Sequence, residues 1–254
     1  MKRLSKTAAL YVTAALVCLV CLPARAALIN NGGFEAGLTG WSVVDQIGSE
    51  GTFFAQTGTA SPVIGDPVPA PPGGTFAAMT DAGGPGSHVL FQDFIAPASS
   101  GPTFLSFDLF IGNRADDFRS PDTLDFNAIV DFAGVLNQQA RVDLLHGLTD
   151  PFSVSPTDVV LKVFQTQPGD ALVSGYTHFS VDITSLLNAN ANTGLRLRFA
   201  EVDNVFTFQL GVDNVSIGPA GAGQAAPEPA SYLLVIIGLF GLAAWRRRAL
   251  GSSP

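Results

Sequence analysis

Apolar and polar side chains alternate with a period of two through much of residues 27–226. In 177–183, Phe179, Val181 and Ile183 share one side, and His178, Ser180 and Asp182 share the other. In 195–199, Leu195, Leu197 and Phe199 alternate with Arg196 and Arg198; in 124–132, Leu124, Phe126, Ala128, Val130 and Phe132 share a face. This period predicts strands with one buried side. Further strands are predicted at 41–45, 52–55, 76–80, 88–94, 103–111, 139–145, 159–166 and 205–217, with a single helix of about two turns at 184–190. Residues 62–74, rich in proline and glycine, read as a surface loop. Many short strands separated by turns predict an all-β antiparallel sandwich or barrel over residues 27–217.

The two ends follow a different pattern. Lys2, Arg3 and Lys6 precede an apolar stretch from Ala8 to Leu22, then Pro23 and the small-residue site Ala24-Arg25-Ala26. This is the layout of a secretory signal peptide, with cleavage expected after Ala26. Cys18 and Cys21 each follow a valine, which does not fit a lipid-modified cysteine. At the other end Pro227-Glu228-Pro229 precedes an apolar run from Tyr232 to Trp245 and then Arg246, Arg247 and Arg248. Fourteen helical residues reach roughly 21 Å, short of a bilayer core of roughly 30 Å. Extension from Pro229 to Leu250, with snorkelling arginines, makes a transmembrane helix the expectation. The arginines then act as a stop on the cytoplasmic side, leaving 251–254 as a cytoplasmic end and the body outside. Residues 218–226, small and polar, read as a linker.

Pro227-Glu228-Pro229-Ala230-Ser231, an apolar helix containing Gly238-Leu239-Phe240-Gly241, and a terminal arginine cluster resemble the PEP-CTERM sorting tail of Gram-negative bacteria. The resemblance covers residues 227–250. It implies recognition by an exosortase-type sorting protease and cleavage near the motif. It also implies passage from the inner membrane to the cell surface or an extracellular polysaccharide matrix. The logic parallels a lipid-anchor signal, whose hydrophobic tail is removed.

The body carries six basic and twenty acidic residues, a net charge of −14. Such a surface repels nucleic acid and anionic membrane and tolerates cations. Both cysteines lie before residue 27, so the body rests on its apolar core without disulfides.

Two motifs near the ends of the body, Asn30-Asn31-Gly32-Gly33-Phe34-Glu35 with Gly40-Trp41, and Gly211-Val212-Asp213-Asn214-Val215-Ser216-Ile217, resemble the first and last strands of jelly-roll carbohydrate-binding modules and galactose-binding-like domains. The resemblance implies a structural Ca²⁺ held in part by Glu35 and Asp213. The alternative is a pair of hydrogen-bonded carboxylates pinning the termini together. It also implies sugar binding, which needs aromatic platforms. The body has only Trp41, which reads as core, and Tyr176, the candidate sugar contact.

Catalytic signatures are sparse. His88, His146 and His178 lack zinc-protease spacing, no G-x-S-x-G elbow occurs, and the body has no cysteine nucleophile. Asp116, Asp117, Asp122 and Asp125 crowd one segment with Arg114 and Arg119, but without the spacing of a calcium loop they read as a solvated polar loop. The expectation is a non-enzymatic exported surface or matrix protein associated with exopolysaccharide or biofilm. A calcium-stabilised carbohydrate-binding module is the alternative, and a glycan-active hydrolase a remote third.

Overall fold

The computed structural model describes residues 27–219. Twelve strands run in chain order: β1 (Ser42–Asp45), β2 (Thr52–Gln56), β3 (Ala77–Asp81), β4 (Gly86–Ile95), β5 (Phe104–Asn113), β6 (Ile129–Val130), β7 (Ala133–Gly134), β8 (Gln138–His146), β9 (Val159–Gln165), β10 (Thr177–Asp182), β11 (Gly194–Asp203) and β12 (Phe208–Gly218). One short helix, α1 (Thr184–Ala189), stands between β10 and β11. The strands form two five-stranded antiparallel sheets, ordered β1-β4-β11-β8-β9 and β10-β5-β12-β3-β2, with β6-β7 a separate hairpin. The body is therefore an all-β two-sheet sandwich. Among the described residues no helix is long and apolar enough to cross a membrane. The predicted signal peptide at 1–26 and the predicted transmembrane helix within 227–250 lie outside the described residues.

The predicted alternation builds the space between the sheets. Leu195, Leu197 and Phe199 of β11 meet Leu105, Phe107, Leu109 and Ile111 of β5 and Leu210 and Val212 of β12. Phe107 sits edge-on to Phe199 at 5.4 Å and stacks on Phe179 at 5.1 Å. Each fully buried phenylalanine contributes roughly 1.5–3 kcal/mol of hydrophobic stabilisation. Trp41 joins this core, stacked on Phe34 at 5.3 Å, with its indole N–H donating to the Asn31 carbonyl at 3.0 Å.

The structure departs from the alternation in two places. Residues 124–132 do not form one strand; only Ile129–Val130 pairs, as β6. The first sheet carries an apolar patch on its outer face at Val89, Ala200 and Val202, and Leu124 and Phe126 fold over it as a lid. The chain then turns back as β6-β7 through Asp131 and Phe132, both in the left-handed region (φ 49° and 67°), leaving Phe132 fully exposed. Residues 205–207 are a turn rather than the start of β12, because the Val205 and Phe206 amides both donate to the Gln138 side chain.

On β11 the alternation holds, and Arg196 and Arg198 on its outer face, whose surroundings the sequence leaves open, are buried. Arg196 pairs with Asp93 at 2.7 Å and lies 3.8 Å over the Phe91 ring. Arg198, fully buried, holds Asp143 and donates to the Pro151 and Ser153 carbonyls, each at 2.7 Å. The acidic segment is dispersed into separate contacts. Arg119 reaches Asp116 and Asp117, Asp117 accepts from the Gly169 amide, and Asp125 accepts from Gln46.

Candidate functional site on the outer face of the second sheet

The outward side of β10 is polar, as its alternation predicts, and the register lines it up with its neighbours. His178 stands opposite Asp108 of β5, which stands opposite Asp213 of β12. Ser180 stands opposite Ser106, which stands opposite Ser216. These are two polar rows running across three strands, about 7 Å apart along the strand direction.

In the first row both oxygens of Asp108 are hydrogen-bonded. His178 Nδ1 lies 2.7 Å from one Asp108 oxygen, and the Asn214 amide donates to the other at 2.7 Å. Ser106 donates to Ser180 at 3.1 Å in the second row. His178 is 59 % exposed and Asp108 14 %.

A bulge in β12 places Asp213 and Asn214 together on this face. The pairing with β5 shifts between Asp213 and Ser216, and Asn214 takes a left-handed conformation (φ 51°). Such an extra residue bends a strand and re-aims its side chains.

The residues singled out in the sequence gather here. Asp213 is buried; its Oδ2 accepts from the Gly73 amide at 3.0 Å and its Oδ1 from the Asn214 amide at 2.7 Å. Burial pushes its carboxyl up to about 7; those two amides oppose the shift, and Asp108 and Glu35 add to it. Glu35 approaches from the amino-terminal loop and accepts from the Thr75 and Phe76 amides at 2.8 and 3.0 Å. Glu35 and Asp213 thus grip the same 73–76 loop. Glu35 and Asp213 are the residues that would hold a hard cation such as Ca²⁺, which takes oxygen ligands; Glu35 Oε1 and both Asp213 oxygens accept from backbone amides.

Tyr176 borders the same face but is not an open platform. Its ring is tilted against Phe110 at 5.9 Å. Its hydroxyl is enclosed over Gly211, where a Cβ would lie only 2.7 Å from the phenol oxygen. Burial raises its phenol pKa, with Asp213 and Asp108 adding to the rise.

His178, Asp108, Asn214 and the serine row were not singled out in the sequence. Alternation in 177–183 already marked His178 and Ser180 as outward. Their partners sit about 30 to 110 residues away and carry no local signal.

A hollow of about 270 Å³ opens near the free edge of this sheet. It is lined by Leu109, Ile111, Phe164, Thr166, Ser174 and Phe179, among others.

The described residues are thus a two-sheet β-sandwich with a polar outer face. The chain carries a PEP-CTERM protein-sorting motif at residues 225–248, which marks an exported protein sorted to the cell envelope and processed by an exosortase. No curated protein matches the sequence.

Among solved structures the body is similar to TmCBM61, solved in complex with β-1,4-galactotriose (9 % identity, 76 % of this chain and 98 % of that one, TM-score 0.42). It is also similar to CBM28, a non-crystalline cellulose specific carbohydrate-binding module (14 %, 76 % and 96 %, 0.41). A third similar structure is the K3 cleaved adhesin domain of Lys-gingipain from Porphyromonas gingivalis (12 %, 75 % and 98 %, 0.43).

Proposed function

We propose that this chain is an exported, non-catalytic envelope or matrix protein whose sandwich associates with extracellular polysaccharide through the outer face of its second sheet. The observation that carries the reading is the coexistence of the sorting motif at 225–248 with that row-ordered polar face. Hydroxyl, imidazole, amide and carboxylate groups in register offer donors and acceptors to sugar hydroxyls. With the Tyr176 hydroxyl enclosed and its ring half-buried, the face has no fully open stacking ring, so each contact is weak. Retention in a matrix then comes from many chains on one polymer. The body's net charge of −14 directs it away from nucleic acid.

The test has two readouts. In an exosortase-bearing host the native chain is expected in the envelope and polymer fractions, and a chain with Pro227, Glu228 and Pro229 replaced by alanine is expected to stay with the inner membrane. In polysaccharide-containing gels the native chain is expected to be retarded, and His178→Ala/Ser180→Ala to run freely. An unchanged distribution of the tail variant sinks the sorting role. Equal mobility of the two chains in every polymer sinks the binding face.

Calcium is a second proposal, favoured by Glu35 and Asp213 both reaching the 73–76 loop with no basic partner for either among the described residues. Adding Ca²⁺ to chelator-stripped protein at about 100 times its Kd is expected to stabilise it by about 2.7 kcal/mol. That is a rise in melting temperature of roughly 5–10 °C for a domain of this size. Asp213→Asn is expected to lose the rise. A midpoint that does not move with Ca²⁺ refutes the site.

A further inference from the structure

A second polar cluster lies inside the sandwich, at the end of the inter-sheet space away from α1. The alternation that sends Leu195, Leu197 and Phe199 inward also sends Glu201 and Asp203 inward. On β4 the same parity carries Leu90 and His88 inward. The register places His88 opposite Glu201, and Asp203 opposite Gly86.

His88, Glu201 and Asp203 are 2 %, 1 % and 5 % exposed, and one ligand atom from each lies within 4.8 Å of the others. His88 Nδ1 is taken by Asp45 at 2.7 Å, which leaves Nε2 as the free nitrogen. Position 86 is a glycine, and a Cβ there would come within 2.3 Å of Nε2. Asp203 Oδ1 accepts from the Gly86 amide at 2.8 Å. Glu201 Oε1 is buried with no hydrogen-bond partner. An orphaned carboxylate oxygen this deep is costly unless something positive meets it. Among the described residues no lysine or arginine pairs with Glu201 or Asp203.

We propose that His88 Nε2 and the carboxylates of Glu201 and Asp203 form a buried site for one divalent transition-metal ion of the zinc type. Two carboxylates and one neutral imidazole balance the charge of such an ion, and the imidazole selects against calcium, which takes oxygen ligands. Asp45 supplies the outer carboxylate that fixes the tautomer and orientation of a metal-binding histidine. The three ligand atoms sit near enough to close on one ion by side-chain adjustment. A recess of about 250 Å³ lined by Gly83, Gly84, Pro85, Asn204 and Phe206 reaches Asp203 and provides a way in. The ion would tie β4 to β11 at this end of the core. This site is separate from the Glu35–Asp213 loop and does not depend on the polysaccharide reading.

The experiment is titration of the chelator-stripped full chain with Zn²⁺ by calorimetry, with bound metal counted by mass spectrometry after dialysis. One Zn²⁺ per chain is expected. Glu201→Gln and Asp203→Asn are expected to lose it, Asp45→Asn to weaken it about 10–100-fold, and Asp213→Asn and His146→Ala/His178→Ala to bind as the native chain does. Without metal, Glu201→Gln is expected to melt no lower than the native apo-chain, because it keeps the shape and introduces no charge; this separates loss of a ligand from loss of the fold. Zinc retained at native affinity by folded Glu201→Gln overturns the proposal. So does zinc lost with His146 and His178, or a natively folded chain that takes up no Zn²⁺.

Discussion

Asp143→Asn is expected to destabilise the sandwich by about 3–5 kcal/mol, the range for breaking a buried ion pair by removing one partner. Asp143 is fully buried on the outer side of β8 and stands between two guanidinium groups. Arg141 donates to it at 2.9 and 2.8 Å, and Arg198 reaches it from β11 through both Nε and Nη2. Neutralising the carboxylate leaves two buried like charges facing each other with their donors unmatched. Arg198→Met is expected to cost less, since the Arg141–Asp143 pair survives; the loss there is the pair of hydrogen bonds pinning Pro151 and Ser153. Combining the two changes should recover part of the cost of Asp143→Asn, because the second removes one repelling cation, giving a coupling energy of the sign opposite to simple addition. Urea denaturation of the four chains measures this. For a domain of this size the single change corresponds to a fall in melting temperature on the order of 10 °C. A fall under about 2 °C would show that the cluster is wetter than its burial implies.

Gly32→Ala is expected to cost about 2–3 kcal/mol, while Gly33→Ala, one residue away, stays within about 0.5 kcal/mol. A Cβ on Gly32 would lie 1.8 Å from the Val215 carbonyl oxygen, a backbone atom with little room to retreat. On Gly33 a Cβ meets nothing within 4 Å. The cause is the bulge in β12, which brings Val215 against the amino-terminal loop, where its amide donates to the Gly32 carbonyl at 2.8 Å. Relieving the clash must move the loop that carries Asn31, Phe34 and Glu35. Trp41 reports the movement, because it stacks on Phe34 and donates to Asn31. A red-shifted Trp41 emission in Gly32→Ala, with Gly33→Ala unchanged, is the expected spectrum. Equal melting temperatures for the two variants would refute the packing of the first loop on the last strand.

The Gly32-Gly33 pair shows where reading a sequence stops. Both glycines belong to a motif visible in the chain, yet only contact with a strand about 180 residues later separates an essential glycine from an idle one. The candidate site behaves in the same way. Glu35, Asp213 and Tyr176 could be picked from motif and composition, and the structure gathers them around Gly73 and Gly211. The His178–Asp108–Asn214 row could not be picked, since its members lie on three strands that become neighbours only in the sheet order β10-β5-β12. The misread strand at 124–132 has a related origin. Its alternation is genuine, but Leu124 and Phe126 answer an apolar patch on a sheet already complete, and nothing local distinguishes a lid from a strand.

By itself the sequence determined the carboxy-terminal sorting motif and the parity of most strands. Both are short-range properties: a charged flank beside an apolar run is enough for a tag, and a period of two is enough to decide which side chains face inward. Only the tertiary structure decided what each inward or outward residue meets. Strand pairing in a sandwich is non-local, so Arg198 finds Asp143 across 55 residues and His88 finds Glu201 across a β4–β11 register that no neighbouring residue encodes. Charges that alternation alone would assign to solvent, or leave stranded in the core, acquire their partners at that step.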